Sequence, residues 1–124
     1  MSWIAHTFEE LGRSIGVSRL LPDANGRASL RIGDDRRLDF QVLDATVLMM
    51  LVTPITGNDR MLVLRRALDA CHVRHGWSLP VRAGLSREGQ LVLIALLNPS
   101  EFLPSTVEQA FDLLTRLHER VSQR

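Results

Sequence analysis

The 124-residue chain contains no lysine and no tyrosine, and cysteine occurs once. A lone Cys71 cannot close an internal disulfide, which fits a reducing compartment. Without tyrosine, one common general acid is unavailable. No apolar run approaches the ~20 residues that a membrane-spanning helix needs. The longest, Leu91 to Leu97, has the length of a buried strand. The opening residues, with His6, Glu9 and Glu10 soon after Ser2 and Trp3, do not form a basic stretch followed by an apolar one. An intracellular protein is therefore expected.

The missing lysines leave all 15 basic residues as arginine, against 14 acidic residues and a formal net charge of +1. Arginine suits bidentate contacts to bases and phosphates, but a GC-rich genome produces the same replacement without any function. The arginines are interleaved with carboxylates along the chain, and Arg36-Arg37 follows Asp34-Asp35. The field that would steer a nucleic acid is missing, so no nucleic-acid partner is expected.

What is present is enough apolar material, 45% of residues, for one core. Ile4, Phe8, Leu11 and Ile15 recur at helical spacing and Gly16 stops the pattern. Pro22 to Gly26 is a dense turn signal. Ala28, Leu30 and Ile32 alternate with polar residues, as do Leu38, Phe40 and Val42, which reads as two strands with one wet face each. Thr46 to Val52 is apolar at every position from Val47 onward and reads as a strand covered on both faces. A second helix is expected from about Asp59 to His75, with Met61, Leu64, Leu68 and Cys71 as its buried stripe, ended by Gly76. Leu79, Val81 and Ala83 form a fourth strand near Pro80, an edge residue. Ser86 to Gly89 turns into Leu91 to Leu97, apolar on both faces. After Pro99 a last helix starts near Ser105, where Ser105 and Glu108 fit a capping box. Its stripe is Val107, Ala110, Phe111, Leu114, Leu117 and Val121.

The order α-β-β-β-α-β-β-α, with short links between successive strands, predicts a single α+β domain over residues 1–124. In it, three helices pack on a twisted antiparallel five-stranded sheet. Three modest helices can cover one face of such a sheet but hardly two. Apolar surface is then left over, and covering even ~600 Å² of it offers up to ~15 kcal/mol before association costs. A protein partner follows, either a second copy or another chain.

Chemistry finds little to stand on. His72 and His75 lie three apart beside Cys71, a spacing that can share a metal, but no further ligands are near in sequence. His6 and His118 are isolated. No serine sits in a glycine elbow, the adjacent pairs Glu9-Glu10 and Asp34-Asp35 diverge, and the glycines form no phosphate loop. No catalytic residue, metal or cofactor is expected.

The run Phe8-Glu9-Glu10-Leu11-Gly12-Arg13-Ser14-Ile15-Gly16-Val17, followed by Leu20, Pro22-Asp23, Gly26 and Leu30, resembles the opening of class I type III secretion chaperones, the Tir-chaperone-like family. The likeness continues through a strand pair ending near Asp44, a doubly apolar third strand, a helix, and Gly89-Gln90-Leu91-Val92-Leu93. It closes with Leu97, Pro99 and a last helix holding Phe111, and so covers nearly the whole chain.

The resemblance implies a cytoplasmic, non-enzymatic protein that binds the N-terminal segment of a secreted effector in extended form and keeps it secretion-competent. It also implies a homodimer, or a heterodimer with a second small chaperone. The subunit interface is then expected at Leu64, Leu68, Cys71, Trp77, Leu79 and Val81. The effector surface is expected on the first helix and first three strands, at Ile15, Leu20, Leu38, Val47, Met49 and Leu51. Members of this family are commonly acidic, whereas this chain has a pI near 8.1. An acidic sister chain or an acidic substrate segment would complement it. An adaptor of the same architecture that binds a folded partner is the other reading the residues leave open.

Overall fold

A computed structural model describes residues 2–16, 20–55, 60–72 and 76–122. Helix α1 (Ser2–Ile15) is followed by strands β1 (Arg27–Ile32), β2 (Arg36–Val42) and β3 (Val47–Thr53). Helix α2 (Arg60–Ala70), strands β4 (Val81–Leu85) and β5 (Leu91–Leu97), and helix α3 (Pro104–Ser122) complete the chain. The sheet is antiparallel throughout, in the order β1-β2-β3-β5-β4. The predicted α+β order therefore holds, and the β3-to-β4 connection through α2 carries the chain to the far edge before β5 returns to the centre.

Local chemistry sets the joints. Gly16 ends α1 with φ at 78°, the left-handed conformation that glycine adopts freely. Gly26 precedes β1 at φ 77°, and a Cβ there would stand 2.8 Å from the Val42 carbonyl oxygen, so only glycine lets β1 and β2 start their ladder at this point. Its carbonyl accepts from the Val42 N–H at 2.7 Å.

The core lies on one face of the sheet. Leu38 and Phe40 of β2, Val47, Met49 and Leu51 of β3, and Leu91, Leu93, Ala95 and Leu97 of β5 are buried, beneath Phe8 and Leu11 of α1 and Ala110, Leu114 and Leu117 of α3. Phe8, Phe40 and Phe102 meet edge to face, with ring centroids 5.3 Å (Phe8–Phe40), 5.0 Å (Phe8–Phe102) and 6.2 Å (Phe40–Phe102) apart. That cluster pins α1 and the lead-in to α3 onto the sheet.

Three local expectations are corrected. The buried face of α2 is Ala67 and Ala70, with Val63 half-buried, and not the line through Met61 and Leu68. The small alanines let α2 approach α3 and β4 closely, which turns Met61 and Leu68 outward at 64% and 52% exposure. The helix also ends at Ala70, and its expected ends at Asp59 and His75 lie outside the described residues. Helix α3 begins at Pro104, with the Val107 N–H donating to the Leu103 carbonyl at 2.9 Å. Proline at the first helical position carries no N–H to orphan, so Ser105 sits inside the first turn rather than capping it. Finally, β3 and β5 are open on one face. Leu48 and Met50 of β3, with Val92, Ile94 and Leu96 of β5, are half-buried on the side away from the helices, and only Val52 is fully covered there.

Candidate protein-binding surfaces

Helices α1 and α3 lie over the centre of the sheet and do not reach its β1 edge, so the inward residues of β1, Leu30 and Ile32, are only half-buried. Between them and the helices runs a groove of about 510 Å³, lined by Leu11, Leu30, Ile32, Val107 and Phe111, with Leu38, Phe40 and Met49 as its floor. Glu108 and Asp112 stand on its α3 rim, and the Ser14 hydroxyl donates to Glu108 at 3.2 Å, tying α1 to that rim. Arg31 lines the opposite side.

The outer edge of β1 adjoins this groove. Antiparallel residues alternate between exchanging both backbone bonds with the partner strand and pointing them away. The Val42-to-Gly26 bond sets the phase, so Ala28, Leu30 and Ile32 bond to β2 while Arg27, Ser29 and Arg31 point their N–H and C=O outward. The Arg27 pair is taken by Asp23, whose N–H donates to the Arg27 carbonyl at 2.8 Å and whose carboxylate accepts from the Arg27 N–H at 3.0 Å. Two rungs of the edge, at Ser29 and Arg31, remain for a further strand.

A third surface is the helix-free face of the sheet. Its cross-strand rows read Arg27–Gln41–Leu48–Leu96, then Ser29–Asp39–Met50–Ile94–Arg82, then Arg31–Arg37–Val52–Val92–Gly84. A block of six apolar side chains on β3 and β5 is thus bordered by polar residues of β1 and β2 on one side and by Arg82 and Gly84 of β4 on the other. The polar side is internally bonded: Arg37 Nε donates to both carboxylate oxygens of Asp39 at 2.9 Å, Ser29 bonds to Asp39, and Arg27 Nε donates to Gln41 Oε1 at 2.8 Å. A fourth surface is the exposed side of α2 with the end of β4, where Met61, Leu68 and Leu85 project.

The expected effector residues are placed differently from the reading of the sequence. Leu20, Val47 and Leu51 are core residues with 4%, 0% and 0% exposure, and Leu38 and Met49 reach the groove only as a floor already covered by protein. Of Ile15 only the backbone is described, as the last residue of α1. The physical reason is parity. On β3 the odd positions face the helices and the even positions face outward, which a strand apolar at every position does not reveal. The residues missed are Leu30, Ile32 and Phe111, whose alternation or spacing marked them as core. Only the edge position of β1 leaves them accessible.

Among the expected interface residues, Leu68 is exposed and Leu64, Cys71, Trp77 and Leu79 are half-buried, while Val81 is buried at 3%. Trp77 also has an internal task, its indole N–H donating to the Ala70 carbonyl at 2.6 Å and closing the end of α2.

The family model described as type III secretory system chaperone SycN matches residues 3–122. The chain belongs to that family. The chaperone protein SycN of Yersinia enterocolitica is 26% identical to this SycN-family chaperone over 121 residues, covering 98% of each chain, and SycN of Yersinia pseudotuberculosis aligns to the same extent. Among solved structures, a chain of the ExsC–ExsE complex superposes with a TM-score of 0.72 at 18% identity, covering 98% of this chain and 90% of that one. A chain of the HopA1–SchA chaperone–effector complex gives 0.71 at 15% identity, covering 95% and 92%. At such identities these two show the shared fold.

Packing shifts two titratable groups of this SycN-family chaperone. Burial raises the Cys71 thiol, which Arg82 offsets only in part, so it is held as a protonated thiol. Burial also lowers the imidazole of His118, helped by Arg36 and opposed by Asp35 and Glu119. No helix among the described residues is long and apolar enough to cross a membrane.

Proposed function

We propose that this SycN-family chaperone holds an N-terminal segment of a secreted effector in extended, non-globular form, in the bacterial cytoplasm and as a dimer, so that the effector stays soluble and competent for secretion. The observation that carries the reading is the groove along the β1 edge. Its half-buried Leu30, Ile32 and Phe111 offer sockets for apolar side chains, and the outward backbone groups of Ser29 and Arg31 lie beside them. An extended segment that adds a strand to an exposed edge gains affinity from main-chain bonds and selectivity from alternate side chains in adjacent sockets. The work is binding, with no bond made or broken, and it needs no cofactor. The dimer is proposed through the exposed side of α2 and the adjoining β4, using Leu64, Leu68, Cys71, Trp77 and Leu79 together with Met61 and Leu85.

The test is recovery of the tagged chaperone from its own bacterium, with mass spectrometry of what stays bound, light scattering, and limited proteolysis of the complex. The expected result is one larger protein retained through its N-terminal region, two chaperone chains per complex, and an extended bound segment that is cut readily outside the contact. Two different small chains would mark the heterodimeric form. A partner captured only as a folded globule, or nothing captured at all, would overturn the reading. Within the groove, Leu30→Asp should abolish capture while leaving the fold intact.

A further inference from the structure

The turn before β1 puts one residue of its own where an added strand would stand. Asp23 donates its N–H to the Arg27 carbonyl at 2.8 Å, as a paired strand residue does. Its carboxylate oxygen takes the place of that residue's carbonyl and accepts the Arg27 N–H at 3.0 Å. Turn bonds hold it there. The Asp23 carbonyl accepts from the Gly26 N–H at 3.0 Å, and the same carboxylate oxygen accepts from the Asn25 N–H at 2.8 Å. The imitation lasts for one residue only. Pro22 has no N–H to offer a next rung, and Leu20 turns into the core at 4% exposure. Among the described residues no backbone group bonds the outward side of Ser29 or Arg31. At the other end of β1 the chain leaves the edge at Gly33, whose φ of 65° belongs to the turn into β2. The free edge is thus bounded on both sides, and its two rungs flank Leu30, which lines the groove.

We infer that Asp23 is an end stop for the effector strand. It bars pairing at Arg27, confines the segment's backbone bonds to Ser29 and Arg31, and so limits the apolar positions that the groove reads to two, beside Leu30 and Ile32. This inference rests on the proposed function and names the residue that positions the segment within it. Parity gives the side-chain rule. Residues that stand opposite each other on neighbouring strands point to the same face. Those opposite Leu30 and Ile32 therefore enter the groove, while those opposite Ser29 and Arg31 lie on the helix-free side. A slip of one residue would bring the wrong set into the groove. A longer strand would keep the parity but run onto Arg27, and the two bonds from Asp23 close that route. The segment that fits is thus a short one with two apolar residues two positions apart, and further alternation along it adds nothing.

The test uses the full-length, isotope-labelled chaperone and two synthetic peptides of alternating threonine and valine, one of about five residues and one of about nine. Amide exchange by NMR reads the rungs, and anisotropy of fluorescein-labelled peptide reads affinity. In the free chaperone the Arg27 amide should exchange at least about tenfold more slowly than those of Ser29 and Arg31, because it already has an acceptor. Saturating short peptide should slow Ser29 and Arg31 about fivefold or more and leave Arg27 as it was. In Asp23→Ala the Arg27 amide should exchange as fast as that of Ser29 when free and slow when peptide is added. The gain in affinity from the short to the long peptide should then exceed the wild-type gain about threefold or more, since a further rung is open. Asp23→Asn, whose amide oxygen still accepts, should behave as wild type. The three proteins are compared at a concentration where light scattering finds the same assembly in each. Slowing of Arg27 by peptide in wild type, no slowing of Ser29 and Arg31, or an equal length gain in wild type and Asp23→Ala would overturn the inference. The wild-type exchange pattern decides it alone if Asp23→Ala does not fold. The two readings fail separately. Effector capture in which Arg27 also pairs with the bound segment removes the stop and leaves the proposed function. Peptide pairing at Ser29 and Arg31 by a chaperone that captures no effector removes the proposed function.

Discussion

Asp23 occupies both backbone groups of Arg27, donating its N–H to the Arg27 carbonyl at 2.8 Å and accepting the Arg27 N–H on its carboxylate at 3.0 Å. The same oxygen accepts from the Asn25 N–H at 2.8 Å. These N–H donors, Arg27 first, hold the Asp23 carboxyl below its ordinary value of 3.8. The chain thereby closes the first rung of its own free edge and leaves only Ser29 and Arg31 for a partner strand. Asp23→Ala is expected to lower the midpoint of thermal unfolding near neutral pH and to raise concentration-dependent self-association, since the longer edge can pair with another copy. A carboxyl with a depressed folded pKa contributes above its unfolded pKa, and that contribution fades as the pH falls through the folded value. The stability gap between wild type and Asp23→Ala should therefore narrow below about pH 3.8. Melting curves across pH check it, and a gap that widens on acidification would refute the assignment.

Phe8, Phe40 and Phe102 are buried at 0%, 1% and 1% exposure and belong to three different elements or links. Removing one ring leaves a cavity flanked by the other two, which cannot collapse without moving α1. Phe8→Ala should cost about 3–5 kcal/mol and Phe8→Leu clearly less. Urea unfolding measures both. A cost under about 1 kcal/mol would mean that α1 is anchored elsewhere.

The fold was legible because each strand boundary carries turn chemistry and each period is clean. The Leu38, Phe40, Val42 alternation and the Val107 to Val121 stripe map onto buried faces almost without change. The sites were less legible for two physical reasons. The choice of face for β3 is made by which side the helices land on, and Val47 to Val52 is apolar on both. Position on the sheet is long-range information: Leu30 and Ile32 alternate like core residues, and only the strand order, with β1 at the edge, leaves them open. For α2, Met61 and Leu68 outrank Ala67 and Ala70 in hydrophobicity, yet close packing against α3 and β4 selected the small residues.

His118 of α3 is half-buried, and its neighbours are Arg36 at the start of β2, Asp35 of the β1–β2 turn and Glu119 of its own helix. Burial and Arg36 lower its pKa from the ordinary 6.5, while Asp35 and Glu119 oppose that shift. The folded state thus favours neutral imidazole. Its stability is highest above about pH 6.5 and declines as the pH falls through the folded value, because the unfolded chain takes up the proton first. His118→Gln should flatten the stability profile between pH 6.5 and the folded pKa. Urea midpoints at several pH values check this. A wild-type profile that rises on acidification through that window would show that the carboxylates outweigh burial.

Leu68 is 52% exposed in the single chain, next to Met61 at 64% on the same helix. Two large apolar side chains held in water beside half-buried Leu64 are costly to a monomer and useful to a dimer, because the burial they forgo in folding becomes available in association. Replacing an exposed residue usually changes folding stability by no more than about 0.5 kcal/mol, whereas an anchor at the centre of an interface can cost 2 kcal/mol or more in binding. Leu68→Asp separates the two effects. It should leave the circular dichroism and unfolding midpoint of the chain near wild type at low concentration, and weaken dimerisation by at least about thirtyfold. Light scattering and sedimentation over a concentration series read that change directly. A Leu68→Asp protein that remains a stable dimer would move the interface away from α2. The half-buried apolar face of β3 and β5, with Leu48, Met50 and Ile94, would then be the next surface to test for self-association.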